Sequence, residues 1–478
     1  MTWVLVAVLA VPAVGAVFRS RAVAAGAAAI AFLLSVALAT GRSDGGLTGP
    51  IRPWHQLDVS WVPGLNLRFH LGVDGISYPL VVLTTLLTLL CCVYLLWTDG
   101  DGTLAALLLV IEVGIVGVFL ALDLVLFFVF FEIVLLPMYA VIAGWGGAGR
   151  RPAARKFVLY TLFGSVLLLV GVFVVVSRAG TADLVVLSAQ HMLPADTQLA
   201  AFILLSIAFA VKSPLWPLHT WLPDAHTEAP TVGSVILAGV LLKMGTYGLL
   251  RVAVGVLPDG ARRVAPVLGV LAVTAILVGG LVCLAQTELK RLIAYSSVGH
   301  MGFVLLGIAT LTATGFEAAL IGNVAHGIIT GLLFFLAGAI KDRTHTGDLS
   351  ELGGLRETAP YLSGILGYAA IASLGLPGLA GFWGEAFAVI AALRRGGPLW
   401  TVLAVLAALG GALAAAYFLR LLYRVTHGAA RPAVVGIGEP VPGELVAWAP
   451  LVVLALAVGL VPALVLGVAQ TAVQVMAP

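Results

Sequence analysis

The chain has 478 residues, of which 61% are hydrophobic and only 10% are charged, with a formal net charge of +3 at pH 7. A soluble protein of this size carries roughly a quarter of its residues as Asp, Glu, Lys and Arg. The composition therefore excludes a soluble globular domain and predicts an all-α integral membrane protein. The basic residues lie in short clusters between apolar runs, and this distribution gives no sign of a nucleic-acid partner.

Apolar runs of about 20 residues can cross the hydrocarbon core of a bilayer as helices. The N-terminal run is counted as a helix, because its basic residues follow it rather than precede it as in a signal peptide. The run 360–394 is too long for one straight helix and is predicted to bend, whereas 40–75 and 424–446 are predicted loops. Fourteen spans are predicted, near residues 3–17, 22–39, 76–97, 104–121, 123–144, 156–177, 199–221, 231–252, 264–286, 292–311, 315–340, 360–394, 399–423 and 446–469.

The distribution of Lys and Arg between alternate loops predicts the orientation, because basic residues are retained on the cytoplasmic side. With the N-terminus outside, 14 of the 25 Lys and Arg residues fall on the cytoplasmic side and 9 on the outer side. We therefore predict that both termini lie outside the cytoplasm.

Ionisable residues within a bilayer are costly and by default mark an ion path. Glu132 lies in DLVLFFVFFEIVLLPMY, where the apolar setting disfavours the carboxylate and a nearby lysine would favour it. Lys212 lies in AFAVKSPLWPLHTW, where Pro214 and Pro217 predict a broken helix. Broken helices are tolerated at membrane depth where they line a cavity or are buried in protein. Glu132 is therefore predicted to take up and release protons, and Lys212, unlike an arginine, can lose its proton.

Further ionisable residues follow in later spans. Lys243 is near the middle of its span, too far from either surface for its ammonium to reach water. Histidine titrates near neutral pH, which makes His300 and His326 candidates for proton relay. Glu385, in SLGLPGLAGFWGEAF, belongs to a second span interrupted by Gly and Pro. Interrupted spans in the two halves of a chain are typical of inverted-repeat transporters.

Two secondary candidates are Glu112, in LLLVIEVGIVGVF, and His219. Asp224, His226 and Glu228 are placed in a loop at the membrane boundary, where their spacing matches no metal motif. The three cysteines have no ligand spacing either, so no metal and no cofactor is expected on this chain.

The runs FFEIVLLPMY, KSPLWPLHTWLPDAHTEAPTVGSVILAGVLLKMGTYGLLR, TELKRLIAYSSVGHMGF and GLPGLAGFWGEAF resemble the antiporter-like subunits of respiratory complex I, NADH:quinone oxidoreductase. The resemblance covers about residues 105–425. Within that family it is greatest to the subunit M, or chain 4, group. The chain ends after the fourteenth span without the lateral helix of subunit L, and it has Glu385 where subunits L and N have lysine.

The resemblance implies two inverted five-helix repeats, each with one broken helix. On this basis the chain is divided into 1–103, 104–255, 256–425 and 426–478: three N-terminal helices, two repeats and a fourteenth helix. It further implies a Glu132–Lys212 pair, Lys243 as the central lysine, connecting histidines at 300 and 326, and Glu385 at the exit.

By the same resemblance, the chain is expected to translocate protons in the cell inner (plasma) membrane as an enzyme-complex subunit without a redox site of its own. FMN, iron–sulfur clusters and quinone would belong to partner subunits, and L-like and N-like subunits and lipids would surround the chain. The alternatives are a subunit of a multi-subunit sodium/proton antiporter or of a membrane-bound hydrogenase. A structural scaffold without an ion path is a third possibility.

Overall fold

The apolar runs of the sequence fold into helices, as the hydropathy predicts. In the computed structural model, residues 2–42, 49–98, 100–190 and 192–477 are described, and residues 43–48 of the predicted loop 40–75 lie outside them. The first helices are α1 Thr2–Val17, α2 Arg21–Ala37, α3 Ser77–Leu96, α4 Gly102–Leu120, α5 Leu124–Ile133, α6 Leu135–Trp145, α7 Arg150–Ala179, α8 Leu184–Gln190, α9 Ala195–Lys212 and α10 Trp221–Glu228. The next are α11 Thr231–Ile236, α12 Leu242–Gly248, α13 Pro258–Ala285, α14 Leu289–Ala309, α15 Ala313–Thr344, α16 Leu355–Thr358, α17 Pro360–Ser373, α18 Gly381–Arg395, α19 Pro398–Thr426, α20 Pro442–Leu460 and α21 Ala463–Met476.

The prediction of many membrane helices is confirmed, although the count of fourteen is not. Among the described residues, 11 helical segments are long and apolar enough to cross a membrane, and three apolar helices of 10–17 residues are shorter. The predicted last span, 446–469, is divided at Val461 into α20 and α21. Pro462 has no backbone N–H to continue the helix, which accounts for the division.

A β-hairpin lies in the predicted loop 40–75, and the sequence analysis did not predict it. Strands β1 (His55–Val62) and β2 (Leu67–Val73) pair antiparallel, with an irregularity between Ser60 and Val62. The hairpin is tied to the helices because the Leu122 amide donates to the carbonyl of His70 at 2.9 Å. The fold is therefore helical with one small sheet, rather than wholly α.

Two membrane helices are interrupted. The first break separates α9, which ends at Lys212, from α10, and it contains Pro214 and Pro217 as predicted. The second separates α17 from α18, where Gly375 and Gly378 have φ of 80° and 94°. Residues with a side chain rarely adopt such φ values, so glycine is needed for this turn.

The helical segment Thr231–Val254 lies at the centre of the molecule. It comprises α11, a π-helical segment Leu237–Leu241, α12 and a second π-helical segment Leu249–Val254. The apolar stretch of this segment is completely buried. In α7, by contrast, only 39% of the apolar stretch is buried, and Leu159, Phe163 and Phe173 are exposed on the exterior. This central segment carries Lys243.

Candidate functional site

The first break brings Lys212 beside the helix that carries Glu132. The Lys212 ammonium lies over the ring of Phe131, 4.8 Å from its centroid, and the side chain is buried. Glu132 lies near the end of α5, where Pro137 removes the amide that would bond to the Ile133 carbonyl. The carboxylate of Glu132 and the ammonium of Lys212 are more than 4.0 Å apart, which is too far for a salt bridge. The Oε1 atom of Glu132 is buried without a hydrogen-bond partner among the described residues.

The break itself is held by polar contacts and close packing. The indole Nε1 of Trp221 donates to the carbonyl of Val211 at 3.0 Å, which satisfies an acceptor that the break exposes. A Cβ atom at Gly245 would meet the Phe209 oxygen and the Ser213 nitrogen, both at 2.7 Å. Only glycine at this position lets α12 pack against the end of α9.

Lys243 is fully buried and makes two polar contacts. Its Nζ atom donates to the carbonyl of Ala238 at 2.5 Å and contacts Nδ1 of His326 on α15 at 2.7 Å. Three residues further along α12, the Thr246 hydroxyl donates to Oδ1 of Asn323 at 3.0 Å. The central helix and α15 are therefore joined by polar groups inside the membrane region.

The polar series continues from His326 to the second break. The rings of His326 and His300 are 5.8 Å apart between centroids. His300 contacts Glu385 through Nδ1 at 3.0 Å and the Ser373 hydroxyl through Nε2 at 3.1 Å. A cavity of about 30 Å³ lies among His300, His326, Ser373 and Glu385, which is room for about one water molecule.

The far side of Glu385 opens to the exterior of the chain. Its side chain is 16% exposed. It lines a groove of about 390 Å³ between α14, α18 and α19, whose other walls include Phe303, Phe382 and Val389. The polar series thus ends at an apolar surface groove.

The structure brings four of the six main candidates into one series: Lys243, His326, His300 and Glu385. Glu132 and Lys212 are neighbours at the first break, without a direct contact from Lys212 to Lys243. The two secondary candidates, Glu112 and His219, are buried, and no hydrogen bond joins either one to the series. Both carboxylate oxygens of Glu112 lack partners among the described residues.

The placement of residues 224–228 in a boundary loop was wrong, because they belong to helix α10. Asp224 forms salt bridges with Lys156 at 2.7 Å and Arg291 at 3.1 Å. His226 is fully buried and stacks on Phe334, with ring centroids 4.4 Å apart and planes at 9°. The sequence analysis also missed Ser373 and Asn323. Their hydroxyl and amide groups give no periodic signal, and their neighbours in space come from distant helices.

A group of possible metal ligands lies outside the membrane region. Side-chain donor atoms of Asp58, His70 and Asp183 lie within 4.8 Å of one another. His70 contacts Asp183 at 2.9 Å, and Arg68 holds both oxygens of Asp58, at 2.6 and 2.8 Å. Because these ligand atoms already have protein partners, the group fits a hydrogen-bonded latch between the β-hairpin and the α7–α8 connection.

The pKa of Asp183 reflects this latch. Burial raises the pKa of the carboxyl, but hydrogen bonds from His70 and from the amide of Val186 outweigh that effect and lower the pKa below its ordinary value. The carboxylate is therefore charged over the whole neutral range.

Similarity to known proteins decides the family. The sequence family described as NADH:quinone oxidoreductase/Mrp antiporter, transmembrane region, matches residues 121–410. The chain belongs to this family. The family predicted from the sequence is thus confirmed.

Members of the family are similar along nearly the whole chain. NADH-quinone oxidoreductase subunit M of Rhodobacter capsulatus is 40% identical over 94% of this chain and 88% of its own length. NAD(P)H-quinone oxidoreductase chain 4 1 of Synechococcus sp. (strain JA-3-3Ab) is 42% identical over 90% of this chain and 85% of its own. A chain of respiratory complex I from Thermus thermophilus has a TM-score of 0.89 at 30% identity, covering 99% of both chains.

The Mrp branch of the family is represented by a less similar structure. A chain of the Mrp complex from Dietzia sp. DQ12-45-1b has a TM-score of 0.85 at 25% identity. It covers 99% of this chain but only 51% of that chain. The quinone oxidoreductase subunits are thus more similar in both sequence and length.

Proposed function

We propose that the chain is the subunit M, or chain 4, component of a proton-translocating NADH:quinone oxidoreductase. The observation that carries the proposal is the buried polar series Lys243–His326–His300–Glu385 within otherwise apolar helices. Titratable side chains at membrane depth are characteristic of proton relays. The similarity to NADH-quinone oxidoreductase subunit M and to a chain of respiratory complex I supports the assignment of that relay to an enzyme complex.

Two inverted repeats, 104–255 and 256–425, account for the paired breaks. Each repeat contains one broken helix, α9/α10 in the first and α17/α18 in the second. A second correspondence supports the assignment: isolated β-bridges join Asp123 to Asp183 and Glu288 to Asp348. Asp123 immediately precedes α5 and pairs with the segment that follows α7. Glu288 immediately precedes α14 and pairs with the segment that follows α15. The segments 1–103 and 426–478 flank the repeats.

The proton moves because the Glu132 carboxylate changes the balance between the charged ammonium form and the neutral amine form of Lys212. While the Glu132 anion is near, the lysine ammonium is stabilised. When a conformational change withdraws that anion, the buried ammonium loses its counter-charge and releases a proton. The proton passes through water to Lys243, then to His326 and His300, and leaves by way of Glu385. Glu132 and Lys212 thus act as a switch and the later residues as a relay.

The energy comes from partner subunits. FMN, iron–sulfur clusters and quinone belong to those subunits, and this chain binds no cofactor. Its neighbours in the membrane arm are L-like and N-like antiporter subunits and lipids. The complex lies in the inner membrane, with both ends of this chain outside the cytoplasm.

The decisive experiment compares lysines inside and outside the series in the assembled complex. Lys243→Met should reduce NADH-driven proton translocation in inverted membrane vesicles at least tenfold. Lys156→Met removes an ammonium from the surface salt bridge with Asp224 and serves as the matched control. Near-normal translocation in an assembled Lys243→Met complex would exclude the relay. Co-purification of the tagged chain with flavin and iron–sulfur subunits tests the assignment to an NADH-oxidising complex.

A further inference from the structure

Polar side chains continue outward from Lys243 along the central segment. The hydroxyl of Thr246 donates to an amide oxygen on α15 at 3.0 Å, and the hydroxyl of Tyr247 donates to the carbonyl of Phe119 at 3.1 Å. Thr246 and Tyr247 are both buried, and they lie between the lysine and the face that we assign to the outside. Polar groups therefore lead from Lys243 in two directions, toward His326 and toward the outer side.

The outward set reaches Arg251, eight residues after Lys243, which is a rise of about 12 Å along a helix. The Nη2 atom of Arg251 donates to Oδ2 of Asp74, just before α3, and each of the two side chains is 1% exposed. The other carboxylate oxygen of Asp74 accepts the amides of Ile76 and Ser77, each at 3.0 Å. Three donors thus fix the carboxylate, and the carboxylate holds the guanidinium in one place.

Two further donors of Arg251 have no protein partner. Its Nε and Nη1 atoms are buried without a hydrogen bond in the described part of the chain. Buried donors almost always bond to protein or to ordered water. A water molecule that reaches these donors presents its oxygen to the guanidinium, which has no acceptor and does not release its own protons. Arg251 therefore ends any water chain that approaches it from Lys243.

The ion pair is covered by helix α21 on the side away from Lys243. A Cβ atom at Gly75, next to Asp74, would lie 2.9 Å from Cα of Ala469 on this helix. A Cβ atom at Gly255, just after the central segment, would lie 3.9 Å from Cε of Met476 near the end of the same helix. With 14 residues, α21 is too short to cross a bilayer and lies over the end of the bundle. The ion pair is therefore enclosed, unlike a surface salt bridge.

We propose that Arg251 is the outer barrier of the relay, a fixed cation held by Asp74 that keeps the proton of Lys243 from leaving along the central segment. The inference rests on the proposed function above and adds what directs its proton toward His326. Arginine suits the position because it stays charged and offers donors only. Asp74 makes the buried charge tolerable, since an unpaired ion there would be strongly destabilising. Arg251 is a positioning residue, because it carries no proton itself.

The test measures coupling and proton leak in the complete complex in inverted membrane vesicles. Arg251→Lys keeps a cation beside Asp74, but a buried lysine can release its proton. The double variant Arg251→Gln/Asp74→Asn removes both charges and leaves no buried ion unpaired. Both variants should oxidise NADH, while the protons translocated per NADH fall at least threefold and the pH gradient decays at least threefold faster once NADH is consumed.

The matched control removes a second ion pair between an arginine and an aspartate, near the start of α13. Arg262 and Asp259 are joined at 2.9 Å, and their side chains are 56% and 46% exposed. Arg262→Gln/Asp259→Asn should leave the proton-to-NADH ratio and the decay of the gradient unchanged. A leak as large as that of the Arg251 variants would contradict a barrier located at the enclosed pair.

A combined variant, Arg251→Lys/Lys243→Met, shows where the leaking proton comes from. Its leak should return to the wild-type rate, because the relay position that feeds the barrier is removed. A leak that persists there, or normal coupling in an assembled Arg251→Lys complex, would overturn the outer barrier and leave the relay intact. Failure of both Arg251 variants to assemble would also overturn it, since the pair would then serve folding alone. Normal translocation in Lys243→Met alone would instead overturn the proposed function.

Discussion

Two structural features of Lys212 bear on its proposed role as a proton carrier. It is the last residue of a helix that ends inside the membrane region, and its ammonium lies over the aromatic face of Phe131. A cation in that position is stabilised by the ring quadrupole without a direct salt bridge. The lysine can therefore remain charged while Glu132 is near and lose its proton when the carboxylate moves.

Lys212→Arg should fail nearly as completely as Lys212→Ala, with translocation reduced at least tenfold in each. Arginine keeps the positive charge and the contact with Phe131, but it effectively never releases its proton. Coupled turnover and proton uptake in inverted vesicles measure the effect. An arginine variant that pumps at near-normal rates would assign Lys212 a purely structural role. Lys243→Arg should be milder, since water can carry the proton past a relay position.

Glu132→Gln should abolish most translocation and coupled quinone reduction while leaving the complex assembled. Glutamine keeps the volume of the side chain but cannot ionise, so the switch loses its anion. Glu132→Asp should retain part of the activity, because aspartate keeps a carboxylate on a side chain that is one methylene shorter. Unchanged pumping by the Gln variant in an assembled complex would remove Glu132 from the mechanism.

The residue types at the site were predictable, but their contacts were not. Glu132, Lys212, Lys243 and Glu385 are conspicuous because charge is rare in apolar runs. The burial of His226 was missed because the residue lies in a stretch that also contains Asp224 and Glu228, and the mixed composition resembles a surface loop. Only the packing of α10 against α14 and α15 shows that its ring is buried.

At the scale of elements, the first break and the central helix form one unit. The Trp221 indole caps a carbonyl at the first break, and Gly245 allows the central helix to approach it. The π-helical segments lie on either side of α12, and such segments occur often at functional sites. Proline and glycine predicted the breaks, whereas no sequence signal predicted the π-helical segments.

Gly245→Ala should lower the amount of assembled complex severalfold. The added methyl group would lie 2.7 Å from backbone atoms of Phe209 and Ser213, which cannot move without shifting the end of α9. Gly255→Ala is the matched control, because its methyl group would find only ordinary contacts at 3.7 Å or more. Native gel electrophoresis of solubilised membranes measures assembly. Equal amounts of the two variants would contradict the close approach.

The hairpin latch should depend on the charge of Asp183. Because its pKa is lowered in the folded chain, the carboxylate stabilises the latch at all pH values above about 4, and this contribution is lost as the pH falls further. Asp183→Asn should reproduce the acidic state at pH 7 and speed hydrogen exchange of the hairpin amides about tenfold. Ser60→Ala, at an exposed hairpin position, is the control. Unchanged exchange in Asp183→Asn would show that the latch does not hold the hairpin.

At the scale of the molecule, hydropathy predicted the class and nearly all of the membrane helices, because each run is long and strongly apolar. The β-hairpin could not be predicted in the same way. Its strands are short, and much of their order comes from the connections at Leu122 and Asp183 rather than from their own residues. The division between α20 and α21 was missed although Pro462 was visible, because the apolar run continues through it.

The predicted orientation places 251–263 outside and 145–156 and 341–359 in the cytoplasm. Arg262→Cys should react with a membrane-impermeant thiol reagent only from the outer side, and Arg151→Cys and Asp348→Cys only from the cytoplasmic side. The native cysteines, Cys91, Cys92 and Cys283, are buried and should give little background. Labelling of Arg262→Cys from the cytoplasm would invert the predicted orientation.

The complete burial of Thr231–Val254 has a consequence for biosynthesis. With a mean hydropathy of 1.6, against 2.7 for Pro258–Ala285, this segment is poorly suited to remain alone in lipid when it leaves the ribosome. Its Lys243 can meet His326 only after that residue of α15 has been synthesised, 72 residues after Val254. A nascent chain that stops before α15 should therefore hold this segment loosely and be open to membrane proteases, whereas a chain that includes α15 should be resistant. Lys243, the central lysine of the proposed relay, would thus also set the order in which these helices settle in the bilayer.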